Sequence, residues 1–152
     1  MTKAVLDTNV FLRALLNPHS HCGRLLDELT DRYTLVVSPP IVREILEVLH
    51  RPKLVAKFPQ LAALDMARVI GWFELAEVVV PSTNPPVARD ADDDKLLACA
   101  KEAGADYLLT EDKDLLVLRA HGDTRICRPA EFIALLDAIE GGGHQCPVPD
   151  VG

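Results

Sequence analysis

Short apolar runs alternate with amphipathic stretches along this chain. Runs with the length and composition of buried strands lie at residues 4–6, 35–37, 77–80, 107–109 and, more weakly, 124–127. Stretches with apolar side chains at helical spacing lie at residues 20–31, 39–50, 59–76 and 95–104 and after residue 129. Strands that alternate with helices are typical of a parallel sheet with helices on both faces. The pattern therefore predicts an α/β fold with a central, mostly parallel sheet of four or five strands.

Two details of the pattern make this prediction more specific. Ser38 and Pro39 mark the start of the second helical stretch, with Ser38 as the N-cap and Pro39 as the first helical residue. In the third stretch, helical spacing predicts that four side chains are buried: Leu61, Leu64, Val69 and Trp72.

The length of the chain indicates a single domain. It has 152 residues, which suit one ordinary domain, whereas two would each be cramped. Hydrophobic residues make up 49% and charged residues 26%, the proportions of a globular domain, which excludes disorder and coiled coil. Three consecutive glycines at 141–143 predict the end of the fold. We therefore predict one domain over residues 1–140 and a flexible tail over residues 141–152.

The charge balance is acidic, with 23 Asp and Glu residues against 16 Lys and Arg residues and a formal net charge of −7. A protein that holds nucleic acid on a basic surface needs Lys and Arg to neutralise phosphates, so the balance argues against that class. Nucleic acid remains open as a substrate, because clustered acids can hold metal ions that contact phosphate.

Cysteine usage and the lack of long apolar runs predict a cytoplasmic protein. The four cysteines form no C-x-x-C pair and the five histidines do not fall at zinc-finger spacing, which favours reduced thiols. The first apolar stretch is interrupted at Asp7, too early for a signal peptide. No run approaches the ~18 apolar residues of a membrane span.

Acidic residues stand where the predicted strands end and the following helices begin. Asp7 follows the first strand, Asp112 lies just beyond the fourth, and Asp93 opens a helix after a loop. Glu44 lies about one turn into the helix that follows the second strand. Ligands of open α/β sheets bind outside the carboxyl ends of the strands. The sequence therefore predicts that these four acids converge on one crevice.

A simpler interpretation exists for each acid taken alone. Aspartate at a strand end or helix start is often only a turn former or an N-cap, as Asp92 or Asp93 could be, and Glu44 could be a solvated side chain. If the four acids did converge to about 5 Å, each pair would repel by roughly 3 kcal/mol at an effective dielectric of 20. Such a cluster must take up protons or bind a hard cation. A ligand set of oxygens alone favours Mg²⁺ or Mn²⁺ over zinc.

At these residues the sequence resembles the PIN-domain family of ribonucleases, and within it the toxin components of toxin–antitoxin pairs. The resemblance covers about residues 3–136 and starts at VLDTNVFLRALL, which carries the family's Asp-Thr-Asn at residues 7–9. The segment SPPIVREILEVLHRPKL places the family's second acid on Glu44. The block RDADDDKLLACAKEAGADYLLTEDKDLL places the third on Asp93 and the fourth on Asp112, after Thr110. CRPAEFIALL is similar to the closing strand and helix.

The resemblance implies a metal-dependent phosphodiesterase that acts on RNA, often as a homodimer, and that a small basic antitoxin inhibits. It implies that Mg²⁺ or Mn²⁺ is held by Asp7, Glu44, Asp93 and Asp112. Glu44 is expected either to bind the metal or to orient and deprotonate the attacking water. Further residues expected to orient the carboxylates or to contact metal or substrate are Asn9, Thr110 and Asp114. Basic residues that flank the acids and could meet RNA phosphates are Arg89, Lys95 and Lys113.

Two other classes of function fit part of the pattern. An aspartate-nucleophile phosphatase also places Asp after the first strand, but it needs a second Asp two residues later, where this chain has Asn9. A PIN-like scaffold that only binds a partner typically loses its acids, and here all four are present.

Overall fold

A computed structural model describes residues 1–63, 66–81 and 91–145, with side chains described outside residues 62, 63, 91–93 and 140–145. Over these residues the strands are β1 (Lys3–Leu6), β2 (Thr34–Val37), β3 (Glu77–Val78), β4 (Tyr107–Leu109), β5 (Ala120–His121) and β6 (Thr124–Cys127). The helices are α1 (Thr8–Leu16), α2 (His21–Asp27), α3 (Pro39–Leu49), α4 (Pro52–Lys57), α5 (Met66–Leu75), α6 (Ala91–Ala103), α7 (Lys113–Leu116) and α8 (Pro129–Gln145), with a 3-10 helix at Pro59–Ala63.

The described strands form one sheet in the order β3-β2-β1-β4-β6-β5. Every neighbouring pair is parallel except β5 and β6, which pair antiparallel. The predicted α/β class and mostly parallel sheet are confirmed, and the sheet has one short edge strand more than the pattern indicated. The chain winds from β1 outward through β2 and β3 and then returns to the other side of β1. The carboxyl ends of β1 and β4 therefore lie at the switch point where such sheets bind ligands.

The two central strands are buried on both faces, which explains their continuous apolar runs. Val5, Leu108 and Leu109 are fully buried, and Leu6 is 1% exposed. The predicted burial of Leu61, Val69 and Trp72 is confirmed, while Leu64 lies outside the described residues. In the described part of the chain, no helix is both long and apolar enough to cross a bilayer.

Three helical segments differ from the sequence prediction. Helix α1 begins directly after Asp7, where the sequence suggested only the end of a strand. Pro52 begins a further helix, α4, that the apolar spacing did not indicate, since proline is tolerated in the first turn of a helix. The stretch over 59–76 is divided into the 3-10 helix and α5 rather than forming one helix.

The start of α3 and the end of α8 can be compared with the sequence signals at those positions. Helix α3 starts at Pro39 after Ser38, as predicted, although the buried Ser38 hydroxyl makes no capping hydrogen bond. Helix α8 continues through the three glycines at 141–143 to Gln145, and the boundary between the domain and a flexible tail stays a prediction. Glycine costs about 1 kcal/mol in a helix but does not by itself end one.

Candidate active site

Asp7 is fixed at the carboxyl end of β1 by its backbone and by its carboxylate. Its N–H donates to the Leu109 carbonyl at 3.0 Å, which continues the parallel pairing of β1 with β4. It is also the N-cap of α1, where its Oδ1 accepts from the Asn9 N–H at 3.4 Å. The residue is only 9% exposed. The sheet and the helix start thus hold one nearly buried carboxylate at the switch point.

Thr110 connects Asp7 to the loop after β4. Leu6 pairs with Leu109 across the two strands, so the next residue of each, Asp7 and Thr110, lie side by side. The buried Thr110 hydroxyl donates to Asp7 Oδ2 at 2.7 Å and accepts from the Asp112 N–H at 3.0 Å. One hydroxyl therefore fixes both the orientation of a carboxylate and the course of the neighbouring loop.

Asp112 lies at the start of α7 as its N-cap. Its Oδ1 accepts from the Asp114 N–H at 2.9 Å, and the side chain is half-buried. Asp114 is exposed. We refer to Asp7, Thr110 and Asp112 as the acidic centre.

The carboxylates of the acidic centre influence one another. Burial raises the pKa of Asp7 above its usual range, and the negative charge of Asp112 raises it further. The hydrogen bonds from Thr110 and from Asn9 act in the opposite direction. A cation placed at these two carboxylates would offset both the burial and the repulsion.

Glu44 lies on α3 and is held by a cation from α6. Lys95 Nζ donates to Glu44 Oε1 at 3.2 Å, and the two side chains are 34% and 16% exposed, respectively. They line a shallow groove of about 450 Å³ together with Pro40, Arg43 and Glu47. From the sequence, Lys95 could meet RNA phosphates or simply be solvated, and this ion pair is not predicted. No local signal could have revealed it, because the partners are 51 residues apart in sequence.

The third predicted acid is only partly described. The backbone of Asp93 lies in the first turn of α6, but its side chain is outside the described residues, as is all of Arg89. Among the side chains that are described, no three from His, Cys, Asp and Glu are grouped as a metal site. The acidic centre thus contains two described carboxylates, those of Asp7 and Asp112. The assignment of Asp93 and Glu44 to the same site stays a prediction.

A family model described as the PIN domain matches residues 3–114 of this chain. The chain belongs to the PIN domain family. The match includes β1, the helices that follow it, β4 and the whole acidic centre. PIN domains are generally nucleases, and PIN nucleases generally use divalent metal ions.

The chain is also similar to individual proteins. The uncharacterized protein MJ1680 of Methanocaldococcus jannaschii is 36% identical over 118 residues, which cover 77% of this chain and 75% of the relative. The structure of VapBC2 from Rickettsia felis, solved bound to a DNA fragment from the promoter, is similar with a TM-score of 0.55 at 15% identity, over 82% of this chain and 97% of that one. PAE2754 from Pyrobaculum aerophilum has a TM-score of 0.49 at 16% identity, with 90% of each chain covered. The similarity to VapBC2 concerns the PIN fold.

A second groove opens beside the acidic centre of this PIN domain. It has a volume of about 510 Å³ and shares Asp112 and Asn9 with the site. Glu111, which also lines it, is paired with Arg128 at 2.8 Å. The sequence analysis did not predict this groove, because its walls come from segments far apart in the chain.

Proposed function

We propose that this PIN domain is a Mg²⁺- or Mn²⁺-dependent endoribonuclease and the toxin of a toxin–antitoxin pair. The observation that carries the proposal is the acidic centre at the switch point of the sheet. Thr110 there bonds both to the carboxylate of Asp7 and to the backbone of Asp112. Two acids that are linked through one buried hydroxyl at the carboxyl ends of parallel strands are typical of a functional site and not of a solvated surface.

The residues of the acidic centre fit a hard cation. Their donors are oxygens only, as Mg²⁺ and Mn²⁺ prefer. Burial, and to a smaller extent the negative charge of Asp112, raises the pKa of Asp7, and a bound cation would offset both effects. In the proposal Asp7 and Asp112 hold the metal together with Asp93 and Glu44. Such an ion, when bound, activates water and stabilises negative charge on a phosphodiester.

Other residues keep the carboxylates in place. The Thr110 hydroxyl orients Asp7, and the Asn9 N–H supports its other oxygen. Glu44 serves either as a further ligand or as the group that orients and deprotonates water. Before the metal binds, its carboxylate is held by the hydrogen bond from Lys95. Asp114, whose N–H bonds to Asp112, is a further candidate ligand.

The toxin part of the proposal concerns the partner. It is supported by the resemblance of the sequence to PIN-domain toxins and by the fold shared with VapBC2. A protein with a net charge of −7 and an acidic centre suits a small basic antitoxin, whose Arg side chains could pair with the carboxylates. We propose in addition that the protein acts in the cytoplasm and as a homodimer.

RNA cleavage tests the enzymatic part of the proposal. The purified protein should cleave single-stranded RNA with Mg²⁺ or Mn²⁺, lose the activity in EDTA and regain it when metal is restored. Asp7→Asn should abolish cleavage, whereas the matched control Asp137→Asn, on the exposed side of α8, should cleave normally. Robust cleavage in EDTA or by Asp7→Asn would exclude the metal mechanism. A co-expressed neighbour that binds without lowering the activity would exclude the inhibitory partner.

A further inference from the structure

The groove beside the acidic centre has the dimensions of a small ligand site. Its volume of about 510 Å³ lies within the ~300–1,000 Å³ of small-molecule and cofactor sites. Eleven described residues line it: Asn9, Val10, Leu12, Arg13, Leu16, Asn17, Ser20, Cys22, Phe58, Glu111 and Asp112. They come from α1, the start of α2, the end of α4 and the loop between β4 and α7. Because Asp112 belongs to both, and the N–H of Asn9 donates to Asp7, a ligand in the groove lies next to the acidic centre.

Arg13 supplies an available positive charge in this groove. Its side chain is exposed and forms no ion pair with any residue that the structure describes, whereas Arg24 pairs with Glu28 and Arg51 pairs with Glu47, each four residues away in sequence. Arg13 is close enough to the buried Cys22 thiol to oppose the rise of its pKa, while Glu111 adds to that rise. Glu111 is already engaged by Arg128. Arg13 is thus placed to meet an anion.

Phe58 supplies an aromatic surface on the same groove. It is half-buried at the C-terminal end of α4, and Lys57 Nζ lies 5.5 Å from the centre of its ring. The other apolar walls are aliphatic, from Val10, Leu12 and Leu16. An aromatic face in a groove that also carries a cation is the combination by which single-stranded nucleic acids are bound: bases stack on the ring and phosphates pair with the cation.

We propose that the groove binds a nucleotide of the RNA substrate next to the scissile phosphodiester, with Phe58 stacking on its base and Arg13 pairing with its phosphate. The inference rests on the proposed ribonuclease function and names a part of the substrate site. The size of the groove favours one nucleotide over a folded protein partner, since stable protein interfaces use about 20–30 residues on each side. Its continuity with Asp112 favours a substrate, because the same occupant then reaches the acids.

Two substitutions separate the two contacts by different measurements. Binding of a fluorescein-labelled ten-nucleotide single-stranded RNA is followed by anisotropy in Mg²⁺ at several salt concentrations, with every variant built on Asp7→Asn to prevent cleavage. Phe58→Leu should weaken binding roughly ten-fold and leave the salt dependence unchanged, because it removes stacking but not charge. Arg13→Ala should reduce the slope of log K against log salt by about 0.7, as expected for one lost phosphate contact on a single strand.

Matched controls separate these effects from damage to the fold. Phe58→Trp keeps a stacking ring and should bind like the parent. Arg24→Ala removes the same charge from the neighbouring helix α2, outside the groove, and should leave the slope unchanged. Circular dichroism spectra of all variants check that they are folded.

A direct cross-link provides a second readout. RNA with 4-thiouridine next to the cleavage site, irradiated on the Asp7→Asn protein, should link to Phe58 or to its groove neighbours. Cross-links confined to another surface, or equal binding by Arg13→Ala, Phe58→Leu and the parent, would overturn the inference even if the wild type cleaves RNA. Loss of antitoxin binding in these variants with RNA binding unchanged would also overturn it and make the groove a protein site. Absence of cleavage by the wild type would instead refute the proposed function.

Discussion

The acidic centre and the Glu44–Lys95 pair hold their carboxylates in different ways. Asp7 is placed by the backbone of two paired strands and by a buried hydroxyl, whereas Glu44 is placed by a lysine on another helix. Among the described residues, the carboxylates of the first arrangement have no basic side chain as a partner, whereas the carboxylate of Glu44 is paired with Lys95. The difference suggests that the acidic centre is where a cation is needed and that Glu44 must exchange Lys95 for a new partner before it acts there.

Among substitutions that test this difference, we expect the largest effect on RNA cleavage and on stability at Thr110. Thr110→Val keeps the shape of the side chain but removes the hydroxyl, so Asp7 Oδ2 and the Asp112 N–H each lose a partner. We expect RNA cleavage to fall roughly 10–100-fold, as for other groups that orient metal ligands. The free energy of unfolding should fall by about 1–3 kcal/mol, the cost of unsatisfied buried groups.

Thr110→Ser is the matched control, because it retains the hydroxyl and should recover most of the activity. Cleavage assays and denaturant unfolding of the three proteins provide the comparison. Wild-type cleavage by Thr110→Val would show that the hydroxyl does not orient a reacting carboxylate.

An intermediate effect is expected at Asp93, which decides whether the acidic centre has a third acid. Millimolar Mg²⁺ or Mn²⁺ should raise the free energy of unfolding of the wild type by mass action, by about 2.7 kcal/mol at one hundred times the dissociation constant, and thereby raise its melting temperature. Asp93→Asn should respond less, and in EDTA it should melt at or above the wild-type temperature because one repulsive charge is gone.

Thermal melts of both proteins with EDTA and with metal make this test. If Asp93 only caps its helix, the two proteins should respond to metal alike, since asparagine caps about as well as aspartate. An equal metal response in the two proteins would show that Asp93 is not a ligand.

The smallest effect is expected at the Glu44–Lys95 pair. Because Lys95 is 34% exposed, Lys95→Met should change stability by no more than about 1 kcal/mol. If Glu44 moves to the metal during the reaction, the loss of its competing cation should lower the Mg²⁺ concentration that gives half-maximal cleavage. Arg51→Met is the control, since it removes a surface ion pair with Glu47 elsewhere on α3. An unchanged Mg²⁺ requirement would indicate that Glu44 does not move to the metal during the reaction.

The sequence predicts the acidic centre better than its surroundings, and the reason is geometric. Parallel strands bring their carboxyl ends together, so acids that directly follow apolar runs, such as Asp7 and Asp112, can be placed side by side without knowledge of the side-chain packing. Helix α1 was missed because Asp7-Thr8-Asn9 is equally typical of a turn after a strand. The Glu44–Lys95 pair and the groove between Arg13 and Phe58 depend on how helices pack, which apolar spacing does not specify.

Direct binding of Mn²⁺ tests most closely whether the acidic centre is the metal site. Calorimetric titration of Mn²⁺ into the wild type, Asp7→Asn, Asp112→Asn and the surface control Asp137→Asn compares the acids without any RNA. We predict that the wild type and Asp137→Asn bind Mn²⁺ alike, while Asp7→Asn and Asp112→Asn each bind at least ten-fold more weakly, about 1.4 kcal/mol or more. Equal Mn²⁺ affinity in all four proteins would contradict the account.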